Sequence, residues 1–211
     1  MAELVLALDV TATDQASGIA TACAPYIDAL KIGYPLVLAG GTGIIETFTD
    51  LDLPLIADFK VADIPNTNRL ITGQAFALGF DAIICQGFVG RDAVTSCVET
   101  AHEYGGDCYV VAEMSHPGAT EFFSEGVGER IAALSVECGA DGIIAPATRP
   151  GRVAALRALV GNRKIYSPGV GAQGGDPALI AGLVDGIIVG RAIYESDNPG
   201  REAMRWRALC Q

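Results

Sequence analysis

The chain has 211 residues, half of them hydrophobic and only 18% charged, with a formal net charge of −11. That length most economically makes one domain over residues 1–211, with apolar material enough for a large core and a subunit interface besides. The acidic balance excludes nucleic acid and anionic membranes as expected partners, and an anionic small molecule would need local cationic groups.

Eight short runs rich in Val, Ile and Leu follow one another along the chain. "LVLALDV" opens the series directly at the N-terminus, with neither the basic region nor the cleavage signature of a secretory peptide. It carries Asp9 near its end. "ALKIGY" carries Lys31, and "LPLIADFK" ends in Asp58 and Lys60. "DAIICQG" holds Gln86, "CYVVAEM" is followed at once by Ser115, and "DGIIAP" comes next. "KIYSPGV" contains Pro168, and "DGIIVGR" closes on Gly190 and Arg191. Most of these runs are continuous rather than alternating, as strands buried on both faces should be.

Between them lie stretches with helical spacing, such as "TNRLITGQAFALG" and "GERIAALSVECG". Several open on cap-like residues: Thr13 and Asp14, Asn66 and Thr67, Asp176 before Pro177. Several close on glycine, at Gly79, Gly105 and Gly139. Eight strands alternating with eight helices predict an α/β fold, a single-domain (β/α)₈ TIM barrel. A doubly wound open sheet shares the alternation but does not explain the count of eight. No apolar run reaches the length of a membrane span. The six cysteines form no C-x-x-C pair, which predicts reduced thiols in a cytoplasmic protein. His102 and His116 are too few and too far apart to suggest a metal site.

In such barrels chemistry sits at the carboxyl ends of the strands, where the polar residues of this chain collect. Asp58 and Lys60, two apart on a strand, should both face the barrel mouth while Phe59 faces the helices. Asp63 follows in a loop shaped by Pro65 and is expected to hold Lys60 together with Asp58. A self-satisfying ion pair is the plainer account. A second lysine, Lys31, on the neighbouring strand is more than stability requires, because desolvation offsets most of the gain from a buried pair.

"SPGVGAQGGDP" fits G-x-G-x-x-G at Gly169, Gly171 and Gly174. It lies at the seventh strand, not the first, so a dinucleotide fold does not explain it. A phosphate held by the loops after strands seven and eight does, with backbone N–H groups, Gln173 and Arg191 as donors. In "SHPGA", Ser115 and His116 face apart on extended chain and cannot readily form a nucleophile–base pair. Ser115 reads instead as a hydrogen-bond donor to a ligand.

Together, "LALDV", "KIGYPLVL", "DFKVADIPNT", "EMSHPGA", "SPGVGAQGG" and "IIVGRAIY" resemble the orotidine 5′-monophosphate decarboxylase family of the short archaeal type, over almost the whole chain and in order. The resemblance implies a cofactor-free, metal-free homodimer of barrels. Such an enzyme converts orotidine 5′-monophosphate to uridine 5′-monophosphate, the last step of pyrimidine nucleotide synthesis. It implies that Lys60 is the proton donor in an array with Lys31, Asp58 and Asp63, the last reaching into the partner's site. Asp9, Lys31 and the partner's Thr67 would bind ribose hydroxyls. Ser115 and Pro168 would meet the pyrimidine, and Gln173, Gly190 and Arg191 the phosphate. The segment from Val170 to Asp176 would close as a lid. Ile64, with Ile84, Val111 and Ile144, would line an apolar pocket suited to CO₂, although core packing accounts equally well for the last three. Gln86 departs from the family, which usually has histidine there. Two rivals stand beside this reading: a metal-dependent sugar-phosphate enzyme on the same barrel, and a non-catalytic nucleotide-binding protein.

Overall fold

The computed structural model describes residues 1–123 and 126–210. In chain order the strands are β1 (Glu3–Ala7), β2 (Ala29–Gly33), β3 (Leu55–Val61), β4 (Ala82–Gln86), β5 (Asp107–Val111), β6 (Gly142–Ile144), β7 (Lys164–Pro168) and β8 (Gly186–Val189). All pair in parallel, each with the next, and β8 pairs back to β1, closing the barrel. The α-helices are α1 (Thr13–Cys23), α2 (Tyr34–Gly40), α3 (Glu46–Thr49), α4 (Pro65–Ala77), α5 (Arg91–Glu103), α6 (Thr120–Phe123), α7 (Val127–Glu137), α8 (Pro150–Val160), α9 (Arg191–Tyr194) and α10 (Pro199–Leu209). The crossing from β7 to β8 is the lightest, its helical part being the 3₁₀ turn Pro177–Leu179. The expected (β/α)₈ barrel is the observed fold.

The continuous apolar runs divide between two cores. Leu4, Leu6 and Leu8 face the helices, while Val5 and Ala7 fill the barrel interior. Each fully buried leucine contributes about 2 kcal/mol of transfer free energy, and both faces of every strand gain it. Inside, Tyr109 and Tyr166 meet edge to face at 5.0 Å. Their register partners are Gly142 and Gly186. A Cβ on Gly186 would stand 2.6 Å from the Tyr166 ring, so large and small residues must alternate around this layer. Tyr109 donates to Asp107 at 2.6 Å, Tyr166 donates to Glu3, and Lys164 lies 3.5 Å from Glu3. The amino end of the barrel is thereby plugged, and the open cleft is left to the carboxyl end.

The strand starts share one device. Asp28, Asp81, Asp141 and Asp185 immediately precede β2, β4, β6 and β8. Each carboxylate accepts from the first free N–H of the preceding odd strand: Leu4 at 2.7 Å, and Leu55, Cys108 and Ile165 at 2.8 Å. The helix stops follow the glycine expectation. Gly79, Gly105 and Gly139 take φ of 98°, 76° and 82°, the left-handed conformation in which a helix end can return its N–H groups to its own last turn. The starts differ in part. Asp176 caps its turn by accepting from Ala178 N at 2.9 Å. Thr13 and Asp14 instead lie inside α1, whose cap position is Ala12. Asn66 and Thr67 lie inside α4, because Pro65 fits the first helical position and leaves Ile64 extended as the cap.

Candidate active site

The carboxyl end of the barrel opens into a cleft of about 810 Å³, a size suited to a small ligand. Its floor is apolar: Ala7, Ile84, Val111, Ile144 and Ile188, all buried interior residues. One wall is charged. Lys31, 4% exposed at the middle of β2, donates to Asp58 Oδ2 and lies 4.0 Å from Asp9 Oδ1. Lys60 Nζ donates to Asp58 Oδ1 at 2.6 Å. Both oxygens of Asp58 are therefore held by ammonium groups. Burial raises the Asp58 pKa, but the two lysines outweigh burial and hold it below the ordinary carboxylate value. Burial likewise lowers the Lys31 pKa, yet Asp58 and Asp9 outweigh that and hold it above the ordinary lysine value. Lys60 is the outermost of the three, its side chain 39% exposed to the cleft.

Simple strand alternation does not bring Lys60 to Asp58. Register runs from Ala57 opposite Ile83 to Val61 opposite Cys85, so four steps on β3 match two on β4. Lys60 takes φ of 44°, left-handed for a residue with a side chain. The bulge re-aims its ammonium over the cleft. Phe59 still faces outward, stacked on Tyr34 at 5.2 Å.

Ser115 follows β5, and Pro168 ends β7; both line the cleft. Beyond Pro168 the chain turns through Gly169 (φ 94°), Gly171 (φ 74°) and Gly174 (φ 84°). Val170 and Gly175 bridge at the neck of this loop. Gly190 and Arg191 come from the end of β8, and exposed Gln173 and Arg191 form the rim.

Ten of the expected site residues thus converge on one cleft: Asp9, Lys31, Asp58, Lys60, Ser115, Pro168, Val170, Gln173, Gly190 and Arg191. Asp63, Ile64 and Thr67 do not line it within this chain. Asp63 is exposed, and its Oδ1 accepts from Ile64 N at 2.7 Å in its own turn. Within this chain Lys60 pairs with Asp58 and not with Asp63. Glu113, Met114, Thr148, Arg149 and Tyr194 also line the cleft, and sequence reasoning did not single them out. Arg149 was marked only by being an arginine in "ATRPG", just past a strand.

Residues 2–206 match the model of the orotidine 5′-phosphate decarboxylase / HUMPS family. The chain belongs to that family. It is similar to the orotidine 5′-phosphate decarboxylase of Methanosarcina barkeri, with 54% identity covering 96% of this chain and 91% of that one. It is also similar to that of Thermococcus kodakarensis, with 48% identity covering 96% and 93%. Among solved structures, the Methanocaldococcus jannaschii enzyme complexed with the inhibitor BMP superposes with a TM-score of 0.96, at 40% identity, covering 100% of this chain and 99% of that one. The enzyme from Pyrococcus horikoshii OT3 gives a TM-score of 0.89 at 41% identity, each chain covered to 98%. In this family member, the four cleft cations are Lys31, Lys60, Arg149 and Arg191, in a chain of net charge −11. They supply the local positive charge that an anionic ligand requires.

Proposed function

We propose that this chain decarboxylates orotidine 5′-monophosphate to uridine 5′-monophosphate, with the cleft at the carboxyl end of the barrel as its active site. The observation that carries the reading is Lys60, paired to Asp58 at 2.6 Å yet exposed to the cleft. Breaking the bond to CO₂ leaves an electron pair on a ring carbon with no adjacent carbonyl to accept it. The barrier is correspondingly high, and catalysis must supply on the order of 20 kcal/mol. A fixed ammonium beside that carbon stabilises the developing charge and then gives it a proton. CO₂ departs neutral toward the apolar floor, and the Lys60 amine regains its proton from water.

Each neighbour has a task in this chemistry. Asp58 anchors Lys60, and Lys31 anchors Asp58 from below. Asp9 and Lys31 bind ribose hydroxyls, Ser115 and Pro168 flank the pyrimidine, and Gln173, Gly190 and Arg191 hold the phosphate. The loop from Val170 to Asp176 closes over the nucleotide, so that phosphate binding energy supports a dry, assembled site. Asp63, Ile64 and Thr67 act across a homodimer interface, which accounts for their absence from this chain's own cleft. The reading places the enzyme in the cytoplasm and needs no metal, since both oxygens of Asp58 are already committed to ammonium groups.

The test is the loss of orotidylate absorbance on mixing with purified protein in excess chelator. Activity is expected there, and silence would overturn the reading. Lys60→Ala is expected to abolish turnover while still binding uridine 5′-monophosphate, and near-normal turnover would remove Lys60 from the chemistry. Arg191→Ala is expected to raise KM by roughly 30-fold, the loss of one charge-assisted hydrogen bond of about 2 kcal/mol. An unchanged KM would remove Arg191 from the phosphate site.

A further inference from the structure

A second buried charge cluster flanks the cleft, apart from the Lys31–Asp58–Lys60 array. Glu113, two residues beyond β5, is 1% exposed. Its Oε1 accepts from Arg152 Nε at 2.7 Å and from Arg152 Nη2, and its Oε2 lies 3.7 Å from Arg149 Nε. Arg152 turns its other edge to Glu129 of α7, at 2.5 and 2.6 Å. The first turn of α7 makes room for this carboxylate with Gly128, where a Cβ would overlap Glu113 Oε1. A buried charge with such partners adds little net stability, so its value lies in what it holds in place.

What it holds is the cleft wall. Met114 and Ser115, the next two residues, both line the cleft. Arg149 donates through Nη2 to the Met114 carbonyl, and Thr148 Oγ1 donates to the Ser115 carbonyl at 3.2 Å. Gly169, where the glycine loop leaves β7, rests on the same wall: a Cβ there would stand 3.0 Å from Thr148 Cγ2 and 3.2 Å from Ser115 Cβ. One chain of contacts therefore runs from the buried carboxylate through Arg149 to Ser115 and on to the start of the loop.

We propose that Glu113 is a positioning residue for the decarboxylation, a statement that rests on the proposed function. It stands on the cleft wall but is 1% exposed, and it acts through its neighbours. With Arg152 it fixes the Arg149 guanidinium, and through the Met114 carbonyl it sets where the Ser115 hydroxyl meets the pyrimidine. Misplacement of such a contact acts on the rate and not only on stability.

The test is a double-mutant cycle on the full-length protein. Glu113→Gln keeps the shape and removes the charge. It is expected to lower kcat/KM by roughly 10- to 100-fold while circular dichroism and the melting cooperativity stay native. In a Ser115→Ala background the same change is expected to cost less than about threefold, because the group it positions is gone. An equal loss in both backgrounds, or no loss in either, overturns the proposal. Should Glu113→Gln not fold, Arg152→Lys, which keeps the charge but loses the fork, is put through the same cycle with the same deciding outcomes. Wild-type protein separates the two readings. If it fails to decarboxylate orotidylate, the proposed function falls and takes this role with it; if it is active and the cycle is additive, only the role of Glu113 falls.

Discussion

Lys60 carries both the proposed chemistry and the least favourable backbone of its strand, with φ of 44°. A side chain in that region costs of order 1–3 kcal/mol, and the surrounding bulge must over-determine it. Two inactive variants isolate the cost. Lys60→Ala and Lys60→Gly both lose the ammonium, but only alanine keeps a Cβ in the left-handed conformation. Lys60→Gly is expected to be the more stable by about 1 kcal/mol in urea unfolding, and equal stabilities would mean the conformation is unstrained. Asp58 gives the complementary case. Asp58→Ala strands Lys31, whose side chain is 5% exposed, without its main counter-charge. The expected destabilisation at neutral pH is about 3–5 kcal/mol. Its pH dependence follows from the directions of the two shifts. Asp58 lies below its ordinary value of 3.8, so its contribution is complete above that value and is lost as pH falls through the lower folded pKa. Lys31 lies above 10.5, so its contribution is complete below that value and is lost as pH rises through the higher folded pKa. Denaturant curves of wild type and variant at several pH values check both limbs; a gap that closes near neutrality would contradict the pairing.

At the scale of elements, the barrel was legible because burial on two faces leaves continuous apolar runs, and because Asp9, Lys31, Asp58 and Arg191 fall in turn within or just past those runs. The bulge in β3 was not. No glycine marks residues 58–60, and alternation alone put Asp58 and Lys60 on one face for a reason that the register does not follow. The Glu113 cluster was hidden for another reason: its arginine partners, Arg149 and Arg152, lie 36 and 39 residues away, with no short spacing to mark them. The glycine loop was recognised, but not its support. Gly171 packs on Trp206 of α10, where an added Cβ would stand 3.0 Å from Cζ2. Trp206 is the chain's single tryptophan, and its buried Nε1 has no hydrogen-bond partner among the described residues. If the loop closes on a phosphate as proposed, that contact changes. Uridine 5′-monophosphate is expected to shift Trp206 emission in wild type. Gly171→Ala, strained at φ 74° and crowded against the indole, is expected to abolish the shift and lower kcat/KM by roughly tenfold. An unaltered spectrum on saturation would mean that the loop does not move on its tryptophan seat.

For the whole molecule, the two ends of the barrel divide the labour. The amino end is closed by Tyr109, Tyr166 and their carboxylate partners, and the carboxyl end is left open for the nucleotide. Asp63, Ile64 and Thr67 stand outside that opening in this chain. Ile64, the cap of α4, is 65% exposed and Leu70, on that helix, 62%, apolar surface of the kind that a subunit interface covers. If Asp63 serves the partner's site, two dead proteins should make a live one. In a hybrid dimer of Lys60→Ala with Asp63→Ala, one site has both its own Lys60 and the other subunit's Asp63, while the second site has neither. Random reassortment puts half the protein into hybrids, each with one intact site of two, so about a quarter of wild-type activity should return on mixing and re-equilibration. The same mixture is expected to stay inactive if the subunits are cross-linked before mixing. Recovery absent under conditions where labelled subunits demonstrably exchange would place Asp63 in its own chain's site, and the site would then have to be completed by movement of the loop before α4 rather than by a second subunit.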